Sequence, residues 1–377
     1  MINSNMQINA LNEGIMTYLI ETRFGDPVFS MDIYGNQLVY GTALGQIGSF
    51  NIESFDLIML TEMTEECVRG IFISDDHVIY AAVGDLYVLV LFKNENDEWG
   101  MDEIKYEGRE HSSLLCTYSQ IIQHKGKICI FVIDNDKEIL SSIRSDGKSK
   151  VLIINAISNE HEEYQGICFP KSSIPLDFDG QRLLWIEEFP RHRELKLTTF
   201  NPLSHYKCKH LDKHFGHLSQ PFLLQDSMIF VHNYKEIKSM DLLSGEFTAI
   251  IGIHSEDIVC IFPILFPSQV NPNGNEENEG HLLTSRGIVI AADKKGIICL
   301  WQDGNLLEKI DLCCLEGFEV EARDRLFGMG YPYVIRAGGI WIAVSTDIGI
   351  IILKSNYLKQ NGGIESTAPS LGSKSWA

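Results

Sequence analysis

The stretch Arg286–Asp303, RGIVIAADKKGIICLWQD, decides how this chain reads. An apolar run from Ile288 to Ala292 meets the polar turn Asp293-Lys294-Lys295-Gly296, and a second run from Ile297 to Trp301 follows. Two short β-rich runs either side of a Gly-bearing turn predict a hairpin. Elsewhere the chain repeats this design: short runs rich in Ile, Val, Tyr and Phe, cut by turn residues before a helical period can develop.

Working outward, the runs group into units of about forty residues, the spacing expected of a propeller-type repeat. The first spans Val28–Met63, the second Val68–Tyr106, the third Tyr118–Asn155, the fourth Ile174–Leu211 and the fifth Ser219–Ile253. The sixth begins at Ile258, is interrupted by the polar insertion Ser268–His281, and resumes with the opening hairpin. The last, Tyr333–Leu353, has three runs, and Ile15–Glu21 is a β-type run with no neighbour in sequence. An N-terminal strand added to a three-stranded last unit closes a ring and removes its exposed edges. The expected fold is therefore all-β: a seven-bladed propeller of four-stranded blades, closed by that strand. It occupies residues 15–358, with a flexible start at 1–14 and a disordered tail at 359–377. A helix is allowed for only within Leu312–Leu326.

The 377 residues are 45% hydrophobic and 22% charged, enough apolar material for a large core. A formal net charge of -20 disfavours general binding to phosphate backbones and anionic membranes. Nine cysteines without a CxxC pair, several inside apolar runs, read as free thiols. Without a signal-peptide pattern or a membrane-length apolar run, the expected location is the cytoplasm or nucleus.

The tail of the opening hairpin, Gly296 to Gln302, resembles the third strand of a WD40 repeat, with Gln302 in place of the usual Asp. Glu236–Glu246 resembles the same strand and turn, Asp241 ending the strand before Ser244-Gly245, and Gly45–Asn51 has the same outline. The resemblance implies a degenerate WD40-like propeller and, with it, an interaction platform. The Gly-His pair and the buried His–Asp network of strong WD40 repeats are not evident in these three stretches.

Arg191–His217 has the most unusual composition, with six Lys/Arg, two acids and five His. One reading is a docking surface in which Arg191, His192 and Arg193, on a turn, capture carboxylate or phosphate, as a phosphopeptide reader would. The plainer and preferred reading is a solvated sheet edge kept charged against edge-to-edge pairing. Cys208, His210, His214 and His217 are candidate metal ligands, but lack the paired cysteines of a zinc finger. Phosphate loops and calcium loops fail for want of the required glycines. The expectation is a non-enzymatic scaffold or adaptor subunit of a larger assembly, with no cofactor. Other proteins would dock on loops that include Glu65, Glu66, Arg323 and Arg325. A propeller enzyme or metal protein using residues 205–217 is the alternative.

Overall fold

The computed structural model describes residues 8–9, 17–22, 26–61, 66–74, 76–84, 87–94, 96, 98–105, 119–124, 127–133, 149–155, 160–164, 173–178, 181–188, 192–200, 203–212, 218–224, 227–265, 287–314, 326–328 and 333–361. They form six four-stranded antiparallel sheets and one five-stranded sheet, a propeller-like all-β architecture. Each four-stranded sheet is a meander of strands consecutive in the chain. The first begins at Val28–Tyr34, the second at Val68–Ile73, the third at Ser119–His124, the fourth at Ser173–Phe178, the fifth at Leu218–Leu224 and the sixth at Ile258–Leu265.

The remaining sheet joins the two ends of the chain. Ile335–Gly338, Trp341–Thr346 and Gly349–Lys354 pair in sequence, and Thr17–Glu21 then pairs with Gly349–Lys354, Leu19 opposite Ile351. Ile8–Asn9 adds a fifth strand against Thr17 and Tyr18, within the segment expected to be flexible.

The leading strand of each sheet touches that of the next, and Ile335–Gly338 touches both Ile258–Leu265 and Val28–Tyr34. At the last of these contacts, a Cβ on Gly338 would lie 2.7 Å from Ile33 Cγ2, so the position has no room for a side chain. Pro175 and Pro263 sit on leading strands, which carry a ladder along one edge only and so tolerate a missing N–H.

Sheets stacked face to face bury both faces of their middle strands. That is why Ile79–Val83, Trp341–Thr346 and Gly349–Leu353 are buried throughout and read as continuous apolar runs rather than alternating ones. The core accordingly lies between sheets. Phe50, Leu38 and Met31 of the first sheet pack with Ile350, Ile352 and Trp341 of the last, and Ile20 joins them. Met228, Phe230 and Met240 of the fifth pack on Leu184 and Leu195 of the fourth.

Some sequence expectations need correction. The third sheet takes Ser149–Asn155 as its third strand and ends with Glu160–Tyr164, beyond the boundary expected at Asn155. That last strand, EHEEY, has no apolar alternation to announce it. The run EILSSIR, residues 138–144, which reads from the sequence as the third strand of this unit, lies outside the described residues. Only a 3-10 turn, Leu312–Cys314, falls at the start of the segment where a helix was allowed for, and 315–325 lies outside the described residues. The α-helix is instead Asn356–Gln360, which crosses the boundary drawn at 358. Ser355 caps it by accepting from Leu358 N.

Candidate functional site

The opening hairpin is held by a buried polar relay. Asp293, at its turn, accepts the backbone N–H groups of Lys295 and Ile297 through Oδ1, at 3.0 and 3.1 Å. Its Oδ2 lies 3.2 Å from His254 Nδ1, and Trp301 Nε1 donates to His254 Nε2 at 3.2 Å. With Nε2 accepting, the Nδ1 proton is the one that faces Asp293. His254 and Asp293 are both buried. A buried His–Asp network is therefore present in this sheet, where none was evident from the sequence. His254 follows Gly252-Ile253 rather than a Gly-His pair, and the sequence pattern hid it. Gly252 matters here because a Cβ would lie 2.6 Å from the Trp301 ring. His254 and Asp293 are enclosed and Trp301 is half-buried, so the relay's role is to fix the turn.

A second polar set lies on the leading strands, between the sheets. Asp32, on Val28–Tyr34, accepts from Ile33 N through Oδ1 and from Ile73 N on the next sheet through Oδ2, both at 3.0 Å. Asp177, on Ser173–Phe178, accepts from Leu223 N of the following sheet at 2.6 Å. The same device recurs: a carboxylate near the end of one leading strand takes a backbone donor of the next, a charge-assisted bond.

Arg336, on Ile335–Gly338, completes the set. Its guanidinium carbon lies 5.1 Å from the centre of the Phe262 ring of the sixth sheet, and Nη1 donates to Ile335 O at 2.8 Å. Burial pulls Arg336 below the ordinary guanidinium value, while Asp32, Cys260 and Asp177 act in the opposite sense. Arg336 thus feels carboxylates from the first and fourth sheets at once. Arg336 is half-buried. Burial also raises Asp32 to about 6, against the lowering effects of the Ile73 amide, the Arg336 charge and the Ile33 amide. A carboxyl that exchanges its proton near neutrality beside a fixed cation can serve as an acid or a base.

The residues singled out in the sequence do not gather here. Arg193 stands on the strand His192–Phe200, opposite Leu211, rather than on a turn, because that strand starts one residue earlier. His192 Nε2 lies 3.6 Å from Glu194 Oε1. His210 is a strand residue opposite Glu194, and Cys208 is the extra residue where the register shifts between Leu195 and Lys196. Their side chains, and all of Glu65, Arg191, His214, His217, Arg323 and Arg325, lie outside the described residues. Glu66 is exposed and rests close to Gly84. Asp32, Asp177 and Arg336 were not singled out. The available signal was a charged residue recurring within an otherwise apolar leading run, as in VFSMD, SIPLD and IRAG.

No family model and no curated protein matches this chain. Solved structures do. An oligogalacturonate lyase from Vibrio parahaemolyticus aligns with a TM-score of 0.58 and 12% identity, covering 94% of this chain and 97% of the lyase. The computationally designed Ika8 protein aligns with a TM-score of 0.51 and 12% identity, covering 89% of this chain and 98% of its own. At this identity the likeness shows the fold alone. It still overturns the expectation that the chain is not an enzyme. That expectation rested on the use of this fold by scaffolds and on the lack of a catalytic signature in the sequence, and a lyase carries a similar fold.

The Asp32–Arg336 coupling gives a prediction. Below the ordinary carboxyl value of 3.8 both the folded and unfolded states are protonated at Asp32. Between that value and about 6 the folded protein keeps a proton that the unfolded chain has lost, so the Asp32 contribution to stability falls as pH rises, and levels off above. Replacing Arg336 by Met removes a neighbour that favours the ionised form. Carbon-13 titration of the Asp32 carboxyl is expected to show a midpoint near 6 in the native protein and a higher one in the variant. An unchanged or lower midpoint would contradict the coupling.

Proposed function

We propose that this chain is a WD40-like propeller of seven blades, closed by Thr17–Glu21, and an enzyme that binds a small ligand in its central channel. Blade number and closure are supported by the seven sheets and by the contacts that link their leading strands in succession. The WD40 character is supported by the His254–Asp293–Trp301 relay and by Asp241, which accepts from Ser244 N at 2.6 Å where the strand-turn pattern puts it.

The observation that carries the functional reading is that three of the successively linked leading strands carry charged groups: Asp32 and Asp177, each bonded to a backbone N–H of the next leading strand, and Arg336, seated on Phe262. Propellers of this fold host unrelated functions, so function has to be argued from the site. The channel offers a fixed cation and a carboxyl that titrates near neutral pH. No helix among the described residues is long and apolar enough to cross a membrane. The test is the thermal midpoint of the purified protein against a panel of sugar acids, nucleotides and phosphorylated metabolites. At least one compound is expected to raise it in a concentration-dependent way, since a ligand bound only by the folded state stabilises that state. A panel without any such response would contradict the reading.

A second reading, docking of another protein, has one observation in its favour. The outer strand of the fifth sheet, Phe247–Ile253, carries no charge and leaves Phe247, Ile250 and Ile253 about half exposed, with Leu306 of the adjoining sheet beside them. Native proteins usually protect such an edge with charge, Pro or a covering element. If it is a docking surface, Ile250→Lys with Ile253→Lys is expected to remove a defined set of co-purifying proteins while leaving the thermal midpoint within a few degrees. A set unchanged by both substitutions would contradict docking at this edge.

A further inference from the structure

We propose that Arg336, seated on Phe262, is an oxyanion-binding group in the channel, and that the ligand it takes presents a carboxylate or a phosphate. The proposal rests on the channel reading above and names its ligand chemistry. A guanidinium has five N–H donors in a planar fork. In Arg336 one nitrogen, Nη1, is engaged by the neighbouring Ile335 carbonyl, and among the described residues this is its one hydrogen bond. The contact turns the fork back toward its own strand. The Phe262 ring, 5.1 Å from the guanidinium carbon, supplies a face for it to rest on. Orientation is therefore fixed from two sides, while the other N–H groups of the fork bond to none of the described residues.

The nearby acids do not close on it. Both oxygens of Asp32 hold backbone N–H groups, of Ile33 and Ile73, and one oxygen of Asp177 holds that of Leu223. Among the described residues neither carboxylate makes an ion pair with Arg336. They balance its charge at a distance and leave its donors to whatever occupies the space. A cation removed from bulk water is costly unless its donors are satisfied. A bidentate carboxylate or phosphate satisfies them by geometry, with two parallel N–H···O bonds that chloride cannot reproduce. The overall charge of -20 argues against adventitious anion binding on the surface. An anion that does bind saturably thus reports a built site.

The test uses inorganic phosphate and malonate as probes, each compared with sodium chloride at equal ionic strength. It reads the thermal midpoint of the native chain, Arg336→Met and Arg336→Lys. The native protein is expected to answer at least one probe with a saturable rise that chloride does not give. Arg336→Met should weaken that response at least tenfold, and Arg336→Lys, which keeps the charge but not the fork, should fall between. Phosphate alone would point to a phosphorylated ligand, and malonate alone to a carboxylate. If Arg336→Met does not fold, Phe262→Leu serves in its place, with a several-fold loss expected. A native protein with no saturable response to either anion, or variants that bind as the native chain does, would overturn the proposal. A chain that answers the metabolite panel but neither probe keeps the channel reading and loses this one.

Discussion

The pairing of Thr17–Glu21 with Gly349–Lys354 is the constraint on which the rest of the molecule depends. It joins the two ends of a chain whose contacts otherwise run from each sheet to the next. Without it, Gly349–Lys354 would present a row of unpaired N–H and C=O groups on a strand buried from Gly349 to Leu353, an edge prone to aggregate. With it, the first and last sheets share one apolar layer, in which Ile20 packs beside Ile350, Ile352 and Phe50. The interior space of the leading strands has a fixed shape only if those two sheets stay together.

Within that frame, polar groups serve two distinct purposes. Asp293 and Asp241 organise turns, each taking backbone donors that a tight turn leaves unpaired. Asp32 and Asp177 instead reach across to the neighbouring sheet and register one leading strand against the next. These latches place charge where the apolar layers end and the interior space begins. Arg336 follows from them: two carboxylates drawn inward favour a cation nearby, and backbone donors already occupy the carboxylates that would otherwise pair with it.

The fold was readable because burial on both faces writes itself as continuous apolar runs, as in GIVIAAD and WIAVST, with Gly and Asp at the turns. Where a strand lies at the outside of a sheet that signal fades, and Glu160–Tyr164 was missed. Ile8–Asn9 and Asn356–Gln360 were missed for a related reason: two or five residues are too few for a pattern, and their partners lie far along the chain. The site was far less readable. Asp32, Asp177 and Arg336 are separated by much of the sequence, and what they share, a place on leading strands that touch in succession, is a property of the fold rather than of any local pattern. Composition drew attention to Arg191–His217 instead, a segment whose paired strands put Arg193 and His210 at opposite positions to Leu211 and Glu194.

The central claim, that the beginning of the chain completes the last sheet, is most directly tested by native-state hydrogen exchange along Gly349–Lys354. Successive amides of a strand point to opposite neighbours, here Trp341–Thr346 on one side and Thr17–Glu21 on the other. If both partners are permanent, the amides from Ile350 to Leu353 should all exchange at the slow rate set by global unfolding. Alternation between slow and fast amides along the strand would show that the N-terminal strand comes and goes, and would contradict the claim.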